Sequence, residues 1–147
     1  MEFITLNQVL NILRTICSNH AQINSFIFGQ ISEISASEQE KYPLVWCDVN
    51  DSLMSERLFS LNLSLWILDI QREDNTNEID VISDTLSIGR DLVAALNNPL
   101  YQDYFNVSFD VSFSQVREGM PDVVDGWKLD LSLQLMELND RCQIPTI

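Results

Sequence analysis

Two nine-residue stretches, FNVSFDVSF at 105–113 and WKLDLSLQL at 127–135, alternate apolar and polar side chains without interruption. Successive strand residues point to opposite faces of a sheet, so each stretch has one face to bury and one to leave wet. A third stretch, RLFSLNLSLWILDI at 57–70, sends Phe59, Leu61, Leu63, Leu65 and Ile67 to one side and Ser60, Asn62, Ser64 and Trp66 to the other. These three strands commit the chain to a sheet with one long apolar face. The cover for that face has to come from the residues between them.

Two segments have helical spacing. In LNQVLNILRTIC at 6–17, Leu6, Val9, Leu10, Leu13, Ile16 and Cys17 fall on one stripe, and Thr5 with Gln8 has the spacing of a capping box. A second helix is predicted from about Val81 to Leu96, with Asp80 as N-cap and NNP at 97–99 as its stop. Two further β-rich stretches, FIFGQISEI at 26–34 and YPLVWCDV at 42–49, precede the long strand; Gly29 suits a bulge or a close neighbour, and Pro43 suits a strand start or an edge. The last two strands, about 104–117 and 126–136, are joined by EGMPDVVDG. Short polar turns favour antiparallel pairing, and the helix after the third strand permits a crossover. The expected structure is one α+β domain over residues 1–147, of order α-β-β-β-α-β-β. Its mainly antiparallel sheet has about five strands, with two helices on one face and a long C-terminal hairpin.

Length adds a constraint. A strand of about fourteen residues reaches roughly 45 Å, whereas a helix of about sixteen covers roughly 24 Å. Either the strands bend or part of a hairpin outruns its cover and needs a partner. The opposite face is also unusual: Ser60, Asn62, Ser64, Asn106, Ser108, Asp110, Ser112, Ser114, Asp130, Ser132 and Gln134 are short or uncharged, and Lys128 is the exception. Such a face suits a wet channel, a close neighbouring subunit or plain solvent.

Charge and composition exclude several functions. The 22 acidic and 8 basic residues leave a net charge of −14, and the Lys and Arg are scattered singly, which argues against binding to nucleic acid or an anionic membrane. No run of 18 apolar residues is present, and Glu2 stands where a signal peptide would carry a basic residue. Cys17, Cys47 and Cys142 are far apart and odd in number, which fits reduced, buried thiols better than a metal or redox site. His20 is the sole histidine, no serine lies in a GxSxG setting, and Gly29, Gly89, Gly119 and Gly126 are isolated, so neither a triad nor a phosphate loop is indicated. EDNTNEID at 73–80 lacks the glycine and distal glutamate of a calcium loop. Carboxylate pairs such as Asp110 with Asp130 or Asp122 with Asp125 are within plausible reach, but nothing selects one as acid and base. The expectation is a protein with no catalytic residue, no cofactor and no metal.

The order of elements, with the YPLVW strand, the central helix and a closing hairpin ending in GWKLDLSLQLMELNDRCQIP, resembles the tail-terminator and tail-to-head joining proteins of tailed bacteriophages over residues 5–140. It is similar as well to neck and tail ring proteins of short-tailed phages, crAss-like phages included. The resemblance implies a virion structural protein, made in the bacterial cytoplasm, that closes with copies of itself into a six-fold or twelve-fold ring in the neck or tail. Portal, adaptor or tail-tube proteins would be its neighbours, and DNA would pass through without being specifically bound. The interface candidates are Trp66 and Ile70 on the third strand, Met120, Pro121, Val123 and Val124 in the last turn, and the tail with Cys142, Ile144 and Ile147. The alternative is a non-enzymatic acidic adaptor or immunity-type protein that binds a basic partner.

Overall fold

The computed structural model describes residues 4–29, 42–70, 78–108, 110–116, 124–136 and 145. Its elements follow the chain as α1 (Leu6–Asn19), β1 (Ser25–Phe28), β2 (Leu44–Val49), β3 (Leu53–Met54), β4 (Leu58–Ile70), α2 (Glu78–Leu96), a 3-10 turn (Pro99–Tyr101), β5 (Phe105–Val107), β6 (Ser112–Val116) and β7 (Val124–Met136). The sheet runs β1-β2-β4-β7-β5, with β3 also on β4 and β6 also on β7. All pairs are antiparallel except β1 with β2. The α+β class, the two helices and the mainly antiparallel sheet are as expected.

Seven strands stand where about five were expected, because two of them are broken by insertions. Asn50 N donates to Asn62 O at 2.8 Å, yet Leu53 stands opposite Ser60, so Asp51 and Ser52 together face Leu61. That is a one-residue bulge, and it reverses the sides to which the following residues point. Beyond it, Ser55 N donates to Leu58 O at 2.8 Å and closes a two-residue loop, Glu56–Arg57. β2, β3 and β4 therefore form one long hairpin. In the other broken strand, Val107 pairs with Leu133 but Ser112 with Asp130, so four residues on one side answer two on β7. Two extra residues leave the alternation intact, and Phe105 and Phe113 face the same way.

The core lies between the sheet and the helices. Leu61, Leu63, Leu65 and Ile67 of β4 and Leu129, Leu131, Leu133 and Leu135 of β7 meet Val9, Leu10, Leu13 and Cys17 of α1 and Ile88, Leu92 and Leu96 of α2. The capping box at the start of α1 is present: Gln8 N donates to Thr5 Oγ1 at 3.3 Å and Thr5 N to Gln8 Oε1 at 2.8 Å. Leu6, expected on the buried stripe, is exposed instead, because α1 begins at the end of the sheet. α2 starts at Glu78, so Asp80 lies in its first turn and is not the N-cap; there its carboxylate still meets the positive end of the helix dipole. Thr85, fully buried on α2, satisfies its hydroxyl by donating to Val81 O at 2.6 Å. Pro43 directly precedes β2, as its sequence position suggested.

Gly126 of β7 has no room for a side chain beside β4. It pairs with Leu68, and a Cβ added there would overlap the carbonyl oxygen of Ile67, a backbone atom that cannot rotate away. Gly126→Ala is expected to lower stability by about 3 kcal/mol, measured as a fall in the denaturant midpoint.

Candidate functional site on the open face of the sheet

The face of the sheet turned away from the helices is built from rungs that the register fixes. From one end these are Ser60–Gln134–Asn106, then Asn62–Ser132, then Asp48–Ser64–Asp130–Ser112, then Trp46–Trp66–Lys128–Ser114, then Leu44–Leu68–Gly126–Val116. The expected short polar groups stand in these rungs except Ser108 and Asp110, which lie between β5 and β6, and they occupy only part of the face. The other part is a second apolar cluster of Tyr42, Leu44, Trp46, Trp66, Leu68 and Val124.

That cluster corrects the mostly polar face read from the sequence, on which Trp66 stood as the one large apolar residue. Trp66 falls at a polar-face position, yet it is only 8% exposed. Trp46 packs with it and donates its indole N–H to Gly29 O at 2.7 Å, so its one polar atom is satisfied. Lys128 Nζ sits 5.4 Å from the centre of the Trp66 ring and 3.7 Å from Asp130 Oδ1, at the boundary between the apolar and polar halves.

The polar half is a groove of about 830 Å³, lined by side chains that include Asn50, Asp51, Asn62, Asp110, Lys128 and Asp130. A hydrogen-bond chain crosses its floor: Asn50 Nδ2 donates to Ser64 Oγ at 2.6 Å, and Ser64 Oγ donates to Asp130 Oδ1 at 2.7 Å. Asn62 Nδ2 donates to Asp51 O at 2.6 Å, which ties the bulge to the central strand. Three carboxylates, Asp51, Asp110 and Asp130, thus share the groove with a single ammonium group. Asp110 and Asp130, paired in the sequence reading, do line one space. The groove offers hydrogen-bond acceptors and negative charge, and among the described residues it contains neither a histidine nor a thiol.

The residues best suited to nucleophilic or acid–base chemistry lie elsewhere. His20 caps the C-terminus of α1; it takes the Gln22 N–H on Nδ1 at 3.1 Å and turns Nε2 to Asp91 Oδ2 at 2.9 Å, which joins the two helices. Cys17 and Cys47 are buried in the core, and loss of solvation pushes both thiols up to about 12, so they remain protonated near neutral pH. Among the described residues, no group of three or more His, Cys, Asp or Glu is placed to hold a metal ion. No helix of the described residues is long and apolar enough to cross a membrane.

One carboxylate pair escaped the sequence reading. Asp69 and Asp125 are direct cross-strand neighbours at the far end of β4 and β7, on the helix side, and Asp125 is buried. Burial raises Asp69 above the usual aspartate range, and the nearby Asp84 carboxylate on α2 adds to the rise against a lowering hydrogen bond from Ile70 N. Only the register, which places residues 69 and 125 opposite one another, would have revealed the pair.

Of the interface candidates, Trp66 and Val124 are buried and Ile70 is partly buried, all three in the second apolar cluster. Met120, Pro121, Val123, Cys142, Ile144 and Ile147 lie outside the described residues, as do Phe109, Asp122 and residues 73–77 of the calcium-like loop. The chain matches no protein-family model, and no curated protein matches it in sequence.

Two outcomes are expected from this region. Ser64→Ala leaves the Asn50 amide and one Asp130 oxygen short of a partner, and should cost about 1–2 kcal/mol in denaturant unfolding. Asp69 binds its proton more readily folded than unfolded, so its contribution to stability is greatest at acid pH and is lost as pH rises through the folded pKa. Asp69→Asn should therefore raise the melting temperature at pH 7, and the gain over the unmodified protein should shrink as pH falls into the carboxylate range.

Proposed function

We propose that this protein is a ring-forming structural component of a tailed-phage virion, in the neck or tail, with no catalytic role. The observation that carries the reading is the length of β4 and β7. They pair over thirteen residues each, about 44 Å if fully extended. The nineteen residues of α2 cover about 28 Å. Among the described residues the cover runs out at the hairpin end, where Phe59 is only partly buried and Met54, on the same face, is 64% exposed. Strands that outrun their own core are suited to contacts with other subunits.

Two features support the same reading. Among the described residues the sheet has unlike edges, β1 on one side and β5 with β6 on the other, and unlike edges suit the head-to-tail contacts from which rings close. The net charge of −14 would keep DNA from adhering to a ring wall by repulsion. The partners in this reading are copies of the same chain together with portal, adaptor or tail-tube proteins.

The groove favours a second reading. Asp51, Asp110 and Asp130 beside one lysine suit an adaptor that receives a basic partner, and such a complex would weaken steeply with salt.

Light scattering over a concentration series, with negative-stain microscopy of the same fractions, is expected to show closed rings with a central hole, either alone or once portal or tube partners are added. A chain that stays monomeric in both conditions, and that binds a basic partner in a salt-sensitive way, overturns the ring in favour of the adaptor.

A further inference from the structure

The end of the sheet where β3 turns into β4 carries both a projection and a recess. The projection is the hairpin tip, with Leu53 and Met54 largely exposed and Leu58 partly so. The recess is a groove of about 330 Å³ whose wall is apolar apart from Thr5, with Ile4, Leu6, Phe59, Leu61, Leu135 and Met136 around it. The two meet at Met54, which stands opposite Phe59 and on its face, whereas Leu53, opposite Ser60, and Leu58 turn to the other face of the tip. Contiguous exposed apolar surface of this kind marks an interaction site.

We propose that this end is a two-fold contact with a second copy of the same chain, the hairpin tip of each copy entering the apolar groove of the other. Two observations select that occupant. The first is charge: the chain carries −14 overall, so two copies repel over most of their surface. At this end, by contrast, the hairpin tip and groove wall carry one Glu56 and one Arg57 among the described residues, and these cancel. A cationic partner would be drawn to the acidic groove of the open face; an equally acidic copy can approach here. The second is placement. A projection beside a recess on a single patch is complementary to itself, and only a two-fold axis lets both copies insert at once. The contact uses the same hairpin end on which the ring reading rests, and differs from ring closure in its symmetry, since it joins either two single chains or two rings end to end.

The test compares the full-length protein with Met54→Asp and Leu53→Asp, both at exposed tip positions, and with Leu100→Asp as a control at an exposed apolar site elsewhere. Native mass by light scattering is expected to halve in the two tip variants and to stay unchanged in the control, and added salt should strengthen the contact in the unmodified protein by screening the repulsion. Ser55→Cys should give a covalent dimer under mild oxidation, above the background of the unmodified chain, because a residue close to a two-fold axis meets its own counterpart. The proposal is overturned if the tip variants keep the full native mass, or if the unmodified chain is monomeric and Met54→Asp only lowers its melting temperature, which would mean that the patch is covered from within the chain. A ring that survives Met54→Asp with its mass unchanged removes this contact and leaves the ring reading standing. A simple pair that Met54→Asp separates, with no ring in any condition, keeps this contact and removes the ring.

Discussion

The antiparallel pairing of β4 with β7 runs from Leu58–Met136 to Ile70–Val124, and every other element takes its position from it. Eight leucines and isoleucines on its helix side form the floor of the core, and α2 packs across both strands while α1 meets the sheet further out, at β1. The remaining strands attach to one flank or the other of this central pair. Because side chains alternate with a period of two, the same register that builds the core fixes the open face residue by residue. The groove floor of Asn50, Ser64 and Asp130 is a consequence of which residues lie opposite the core leucines.

The open face is divided by one side chain. Lys128 lies over the Trp66 ring and beside Asp130, so its aliphatic stem and cation follow the change from indoles to carboxylates. On one side of it the face is packed and apolar; on the other it is an acidic groove whose floor is already hydrogen-bonded. Such a floor is pre-organised, and whatever enters the groove meets fixed acceptors in place of mobile charged arms. The hairpin end differs from both halves, being apolar and locally neutral. The molecule therefore presents three chemically distinct surfaces on a single sheet.

The parts of this architecture that depend on periodicity were legible in the sequence. The alternation in 57–70, 105–113 and 127–135 assigned the apolar inward residues of β4 and β7 correctly, and Thr5 with Gln8 announced the start of α1. The features that depend on register were not legible. Nothing local distinguishes Trp66 on a polar face from a solvent-facing tryptophan until Trp46 is placed opposite it. The bulge at Asp51–Ser52 carries no glycine to mark it, and the meeting of Asp69 with Asp125 spans 56 residues of chain. The helix boundary at Glu78 was missed because Asp80 is as acceptable in a first helical turn as at a cap. Of the candidate site, the residue types were visible and their grouping was not.

The two interruptions of the ladder differ by one residue, and that difference has a consequence for how such a chain can change. The insertion between β5 and β6 adds two residues and leaves inside and outside as they were; the one at 51–52 adds a single residue and exchanges them, which is why Leu53 shares a face with Ser60 while Met54 joins Phe59. Length changes in these strands are thus read by parity. An even change moves the end of the sheet outward or inward and keeps its chemistry. An odd one turns the hairpin over, exchanging in a single step the faces to which Leu53 and Met54 point.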